Sequence, residues 1–145
     1  MTTIIAVFVI IVGLICWLGQ SLVFISPELA LKFDLVESEK EMDSSFYIIE
    51  TKAICLNDML FTWILPFSAL LMLLDIFLWP YLGLVGGGVY LYIAGYITLS
   101  RIYLKRQGKK VGGEKSLKTA YIFSGACIVA SLVMIVMSSI ELMGI

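Results

Sequence analysis

The sequence predicts an all-α integral membrane protein: a four-helix bundle with one short amphipathic helix on the cytoplasmic side, between its first and second crossings. Three observations carry this reading. Of 145 residues, 61% are apolar and only 14% charged, and a soluble domain this small cannot hide that much apolar surface from water. Four long stretches are free of charge. The ten basic residues fall in only two segments, one between the first and second stretches and one between the third and fourth.

The first stretch runs uncharged from Thr3 to Phe24. It lacks a basic leader segment, and its apolar run is longer than that of a cleaved signal sequence, so it is read as a retained crossing. The second, Met59 to Leu74, is flanked by Asp58 and Asp75. It is short for the roughly 20 residues a crossing needs unless those acids reach the interfaces. The third runs from Ile76 to Ser100 and the fourth from Thr119 to Ile140. The runs are continuous rather than alternating, and lipid leaves backbone groups no partner outside a helix or a closed barrel; four helices follow. The expected crossings are 3–24, 57–78, 82–103 and 118–141, in a single domain spanning 1–145.

Orientation follows from charge. Lys32, Lys40 and Lys52 occupy the first connection, and the seven other bases, from Arg101 to Lys118, the third. Basic loops stay in the cytoplasm, so both large loops are expected inside and both termini outside a cell membrane. The loops differ in sign. Residues 25–56 hold seven acids against three lysines, and residues 101–118 hold seven bases against Glu114. Facing each other, they should attract, each solvated pair contributing about 0–1 kcal/mol.

Within the first loop, Ser26-Pro27-Glu28 reads as a helix start, and Leu29, Phe33 and Val36 recur at helical spacing. Asp43-Ser44-Ser45 is a second start signal, so the second long helix is expected to begin well above the bilayer. The basic loop, with Gly108, Gly112 and Gly113, reads as a mobile connection. Trp79-Pro80-Tyr81-Leu82-Gly83 reads as the tight second connection, with Pro80 ending a helix and Trp79 and Tyr81 at the interface.

The residues exclude much chemistry. There is no histidine, and Cys16, Cys55 and Cys127 include no C-x-x-C pair. Haem ligation by histidine and histidine acid–base catalysis are thereby excluded, zinc or copper sites are not expected, and no catalytic residue, metal ligand or cofactor is assigned. The absence of a strongly basic surface argues against nucleic acid. The plan is similar in size and hydropathy to DoxX-like bacterial membrane proteins. It resembles a small multidrug-type transporter in size only, because the first helix has no acid. Neither resemblance transfers a function.

Three constellations remain as candidates. Gln20, Glu50, Asp58, Arg101 and Lys118 form a polar cluster near the cytoplasmic boundary. Counting from the span ends puts Asp58 level with Arg101, as an ion pair or, with Lys118, a headgroup site. Tyr92, Tyr96 and Tyr103 share one helical face, which with a kink at Pro66 could line a small apolar pocket. Gly83, Gly87, Gly88 and Gly95, with Gly86 among them, suit close helix packing. Two functional readings follow. One is a non-enzymatic membrane subunit that binds membrane lipid or a partner, another membrane protein or a further copy of itself. The other is an oligomeric carrier or channel for a small molecule or ion.

Overall fold

The computed structural model describes residues 2–144, which form five α-helices and, among the described residues, no strand. Four are long and apolar enough to cross a membrane: α1 (Thr2–Ile25), α3 (Ser44–Leu73), α4 (Trp79–Arg106) and α5 (Glu114–Met143). The short α2 (Pro27–Lys32) follows α1 directly. The multi-pass bundle and the helix between its first two crossings are as expected from sequence.

The packing is inside-out relative to a soluble bundle. α1 buries Ala6, Val9, Gly13 and Cys16 and exposes Ile4, Ile11, Ile15 and Leu18. α4 buries Gly83, Gly86 and Gly87 while Val85 and Tyr92 face out. α5 buries Ser124, Cys127, Ala130 and Ser131 and exposes Val129, Leu132 and Val136. Small residues bring the backbones together and large ones meet lipid, the arrangement that dispersion and interhelical hydrogen bonds favour where water provides no drive. Ser124 donates to the carbonyl of Ala94 (3.0 Å) and Trp17 to that of Met59 (3.0 Å), each across a helix interface.

Gly83 and Gly87 stand against α5, where an added Cβ would strike Ser138 and Ile135 respectively, and Gly86 stands against the backbone of Leu65. Gly88 and Gly95 differ from expectation: nothing lies within 4 Å of a Cβ at either. They fall on the outer side of α4.

α3 is not uniform. It opens at Ser44, capped by Asp43, whose carboxylate accepts from the amides of Ser45 and Phe46. Ile49–Ile54 is wound as a π-helix, and the regular winding is interrupted again at Thr62 and Trp63 before Ile64–Leu73. Pro66 explains the second break. It has no N–H for the Thr62 carbonyl four residues back, so the ladder lapses there.

The turn between α3 and α4 falls earlier than expected. Asp75 adopts a left-handed φ of 53°, and the amide of Ile76 closes on the carbonyl of Leu71 (3.0 Å), a left-handed helix stop. Pro80 therefore lies in the first turn of α4, where its missing N–H costs nothing, and does not end α3. Trp79 is buried, with its carbonyl accepting from Ser68 (2.8 Å).

α2 is shorter than the Leu29–Val36 periodicity suggests. Asp34 turns left-handed at φ 55°, and the Leu35 amide returns to Ala30 (3.0 Å). Ala30 alone is buried from this helix. The Ser26 side chain makes no capping bond.

The two charged loops meet at one end of the bundle. Met42 and Val111 form an isolated antiparallel bridge, flanked by hydrogen bonds from Asp43 to Lys110 (2.9 Å) and from Gly112 to Glu41 (3.1 Å). Met42, Phe46, Val111 and Leu117 bury a small apolar core beneath it. Lys109 pairs with Asp43 and Lys115 with Asp34, both at 3.1 Å. The basic loop is thus docked onto the acidic one rather than free.

Candidate functional site

Beneath this paired-loop cap lies a cavity of about 260 Å³. All four long helices line it. α1 contributes Cys16, Gly19 and Gln20, α3 Glu50, Thr51 and Cys55, α4 Ile97 and Arg101, and α5 Thr119, Ala120 and Phe123. Asp34 to Glu37, with Met42 and Val111, close the upper side.

One wall is an ion pair. Arg101 Nη2 donates to Glu50 Oε2 at 2.7 Å and Nη1 to Glu50 Oε1 at 3.2 Å, a two-pronged contact, and Nη1 also reaches the Ile97 carbonyl (3.2 Å). The guanidinium lies 5.4 Å from the centre of the Phe46 ring. The two side chains keep only 11% and 17% of their exposure, so each depends on the other for its charge. Arg101 therefore pairs with Glu50 and not with Asp58. The earlier turn is the reason. With α3 ending at Leu73 rather than 78 and α4 beginning at Trp79 rather than 82, the two helices shift past each other by eight positions, about 12 Å at 1.5 Å per residue. That brings Glu50 level with Arg101 and drops Asp58 below it.

Asp58 is completely buried, and neither carboxylate oxygen has a hydrogen-bond partner among the described residues. It belongs to a buried stripe on α3, with Thr51, Cys55 and Thr62, at spacings of four, three and four. The stripe points at the bundle axis. Thr51 and Cys55 line the cavity, and Asp58 is the next turn down, below its floor. The π-helical segment matters here. On a regular helix Glu50 and Asp58 would point about 80° apart, and one wide turn brings them nearer a common face.

Gln20 faces the cavity from α1 and accepts from the Cys55 thiol. Lys118 is exposed and does not line the cavity. Of the five polar candidates, Gln20, Glu50 and Arg101 share the cavity, Asp58 lies beneath, and Lys118 lies apart. All three cysteines are buried and unbridged.

The tyrosine candidates separate. Tyr92, Tyr96 and Tyr103 border an open groove formed by α4 alone, with Tyr92 71% and Tyr103 58% exposed. Pro66 is elsewhere, packed against Gly13 of α1. The tyrosine that answers the break in α3 is Tyr90, which the sequence reading passes over. Its hydroxyl donates toward the carbonyls of Thr62 (2.9 Å) and Gly13 (3.1 Å) and ties three helices together. The available signal was the unpaired Thr62 carbonyl, which needs a donor from a neighbouring helix.

No family model, curated protein or solved structure matches this chain. The fold and the site define a small multi-pass membrane protein with a capped cavity at one end of its bundle.

Proposed function

We propose that the protein is a non-enzymatic membrane subunit that holds a membrane-derived amphiphile in the capped cavity, with both loops facing the cytoplasm. The cavity itself carries this reading. It lies where the helices leave the apolar zone, its walls combine Ile15, Val23, Ile54 and Phe123 with Gln20, Glu50 and Arg101, and its roof comes from the two loops that the positive-inside rule assigns to the cytoplasm. Mostly apolar walls with a few fixed polar groups suit a ligand with a hydrocarbon part and one polar end. A headgroup phosphate fits poorly, because Arg101 is committed to Glu50 and Lys118 stands outside.

The test is native mass spectrometry from a mild detergent. Gly19 lines the cavity and an added Cβ there would meet nothing within 4 Å, so Gly19→Leu is the substitution to occupy the cavity. Wild type should retain a lipid-sized adduct and Gly19→Leu should lose it. Bare wild-type protein, or an adduct indifferent to Gly19→Leu, would refute the reading. The same spectrum reports subunit count and any retained partner. A reporter fused after Ile145 should read as external.

An oligomeric carrier is the second reading, and Asp58 favours it, since a buried carboxylate at membrane depth is characteristic of ion and substrate paths. Proteoliposomes would separate the two. Flux that disappears in Asp58→Asn supports a carrier, and no flux from wild type supports a binding subunit.

A further inference from the structure

We propose that Asp58 is the ligand-charge receptor of the cavity, and that the molecule it takes is an amine carrying an apolar chain, its ammonium on the Asp58 carboxylate and its chain between the helices. This deepens the cavity reading by naming the ligand's chemistry.

A wholly buried carboxyl with both oxygens unpartnered is expensive whether it is charged or not. Charged, it lacks a counter-ion. Its titratable neighbours are Cys16, Cys55, Glu50 and Tyr96, none of them a cation. Arg101 is held by Glu50, and Lys52 lies over the Phe24 ring at 5.8 Å. A proton alone would remove the charge and still leave the new hydroxyl and its carbonyl without partners. What is missing is a positive group that also donates hydrogen bonds.

A bare metal ion is a poor candidate. Among the described residues no group of three or more Cys, Asp or Glu side chains could hold one, and a lone carboxylate is a poor site for an ion that takes six or more oxygen ligands. An ammonium supplies both charge and donors, and its contacts to a carboxylate are charge-assisted. The attached chain accounts for the apolar walls. The electrostatics of entry agree: of the charged groups that line the cavity, Arg101 neutralises Glu50 and Lys115 pairs with Asp34, which leaves Glu37 and no basic group. The cavity therefore favours a cation over an anion. Asp58 does not itself line the cavity; it is one helical turn from Cys55, which does and whose thiol donates to Gln20, so an ammonium reaches the carboxylate only as the helices make room for it.

The test uses three probes of matched chain length, octylamine, 1-octanol and octanoate, on the purified full-length chain in maltoside micelles at pH 7. The readout is the thermal unfolding midpoint as a function of probe concentration. Octylamine should raise the midpoint saturably, while octanol and octanoate should not. In Asp58→Asn, which keeps the shape and removes the charge, the apparent octylamine affinity should fall about tenfold or more. An octylamine shift of equal size in Asp58→Asn would overturn the proposal, and so would an octanol shift equal to that of octylamine in wild type. The second comparison needs no variant and holds if Asp58→Asn does not fold. Failure here stays distinct from failure of the cavity reading. A retained adduct lost in Gly19→Leu but indifferent to Asp58→Asn leaves the cavity reading standing and removes the amine.

Discussion

The hydroxyl of Tyr90 lies 2.9 Å from the carbonyl of Thr62, the acceptor that Pro66 leaves without an intrahelical partner. In water such a carbonyl would be solvated. Between membrane helices it must be met by protein, and α4 meets it with a residue that has no exposed surface. Tyr90→Phe should destabilise the protein by about 1–2 kcal/mol, a range set by neutral and interhelical hydrogen bonds. The mechanism can be isolated. In a Pro66→Ala background, residue 66 regains its own amide for Thr62, and Tyr90→Phe should then cost clearly less. Unfolding in mixed micelles with increasing dodecyl sulfate measures the cycle, and equal costs in the two backgrounds would show that Tyr90 does not compensate for the proline.

The Arg101–Glu50 pair should behave as a structural lock. Arg101→Ala leaves Glu50 charged and sheltered, and should cost about 3 kcal/mol. Arg101→Lys should recover only part of this, because an ammonium cannot reproduce the two-pronged contact. Replacing both partners, as Arg101→Met with Glu50→Leu, should restore most of the lost stability, since no uncompensated charge remains. The same unfolding assay orders the variants. A double replacement as damaging as Arg101→Ala would indicate that the contacts of Arg101 with the Ile97 carbonyl and the Phe46 ring, rather than its pairing with Glu50, carry the lock.

The helix contacts make a steric prediction. A methyl at Gly13 would approach three Pro66 side-chain atoms at 2.7–2.9 Å, and the proline ring cannot swing away. Gly13→Ala should therefore destabilise by about 1–3 kcal/mol. At Gly83 the obstructing atom is the Ser138 hydroxyl, which is itself buried and unpartnered. Ser138→Ala should be close to neutral alone and should relieve Gly83→Ala when the two are combined. Gly88→Ala, facing open space, should be tolerated in the monomer. A large loss at Gly88, measured alongside oligomeric state, would point to a contact between copies.

Most of the architecture was legible in the sequence because it rests on one-dimensional signals: uncharged stretches of spanning length, and bases confined to two segments. The meeting of the charged loops at one end also follows from parity, since two crossings separate them. What could not be read was depth. The α3–α4 turn depends on Asp75 taking a left-handed conformation, which acids adopt only in context, while Pro80 offered a conventional but wrong stop. That displacement of the turn, five residues at the end of α3 and three at the start of α4, turned Glu50–Arg101 into Asp58–Arg101. The separation of the tyrosines from Pro66 has a similar origin. Helical spacing grouped Tyr92, Tyr96 and Tyr103 correctly on one face, but did not say that this face looks outward. The buried Tyr90 lies outside the pattern, and its role depends on a partner 28 positions away.

The cap should loosen in acid. Lys109 beside Asp43 holds that carboxyl below its ordinary value of 3.8, helped by the amides of Phe46 and Ser45. A carboxyl whose pKa is lower in the folded than in the unfolded chain binds fewer protons when folded. Its contribution is therefore complete above pH 3.8 and disappears as pH falls through the depressed folded value. Asp43 both caps α3 and donates its amide to Lys110 across the Met42–Val111 bridge, so losing its charge should release the loops before the bundle. Hydrogen exchange should show the Asp43 and Gly112 amides protected at pH 5. They should lose protection, relative to their intrinsic rates, near pH 3, while the Ser131 and Met134 amides of α5 stay protected. Asp43→Asn can still accept the α3 amides but has no charge to lose, so its loop protection should be lower at pH 5 and nearly flat with pH. Loop protection in wild type that does not change between these pH values would mean that the apolar core of Met42, Phe46, Val111 and Leu117 holds the cap without the ion pair.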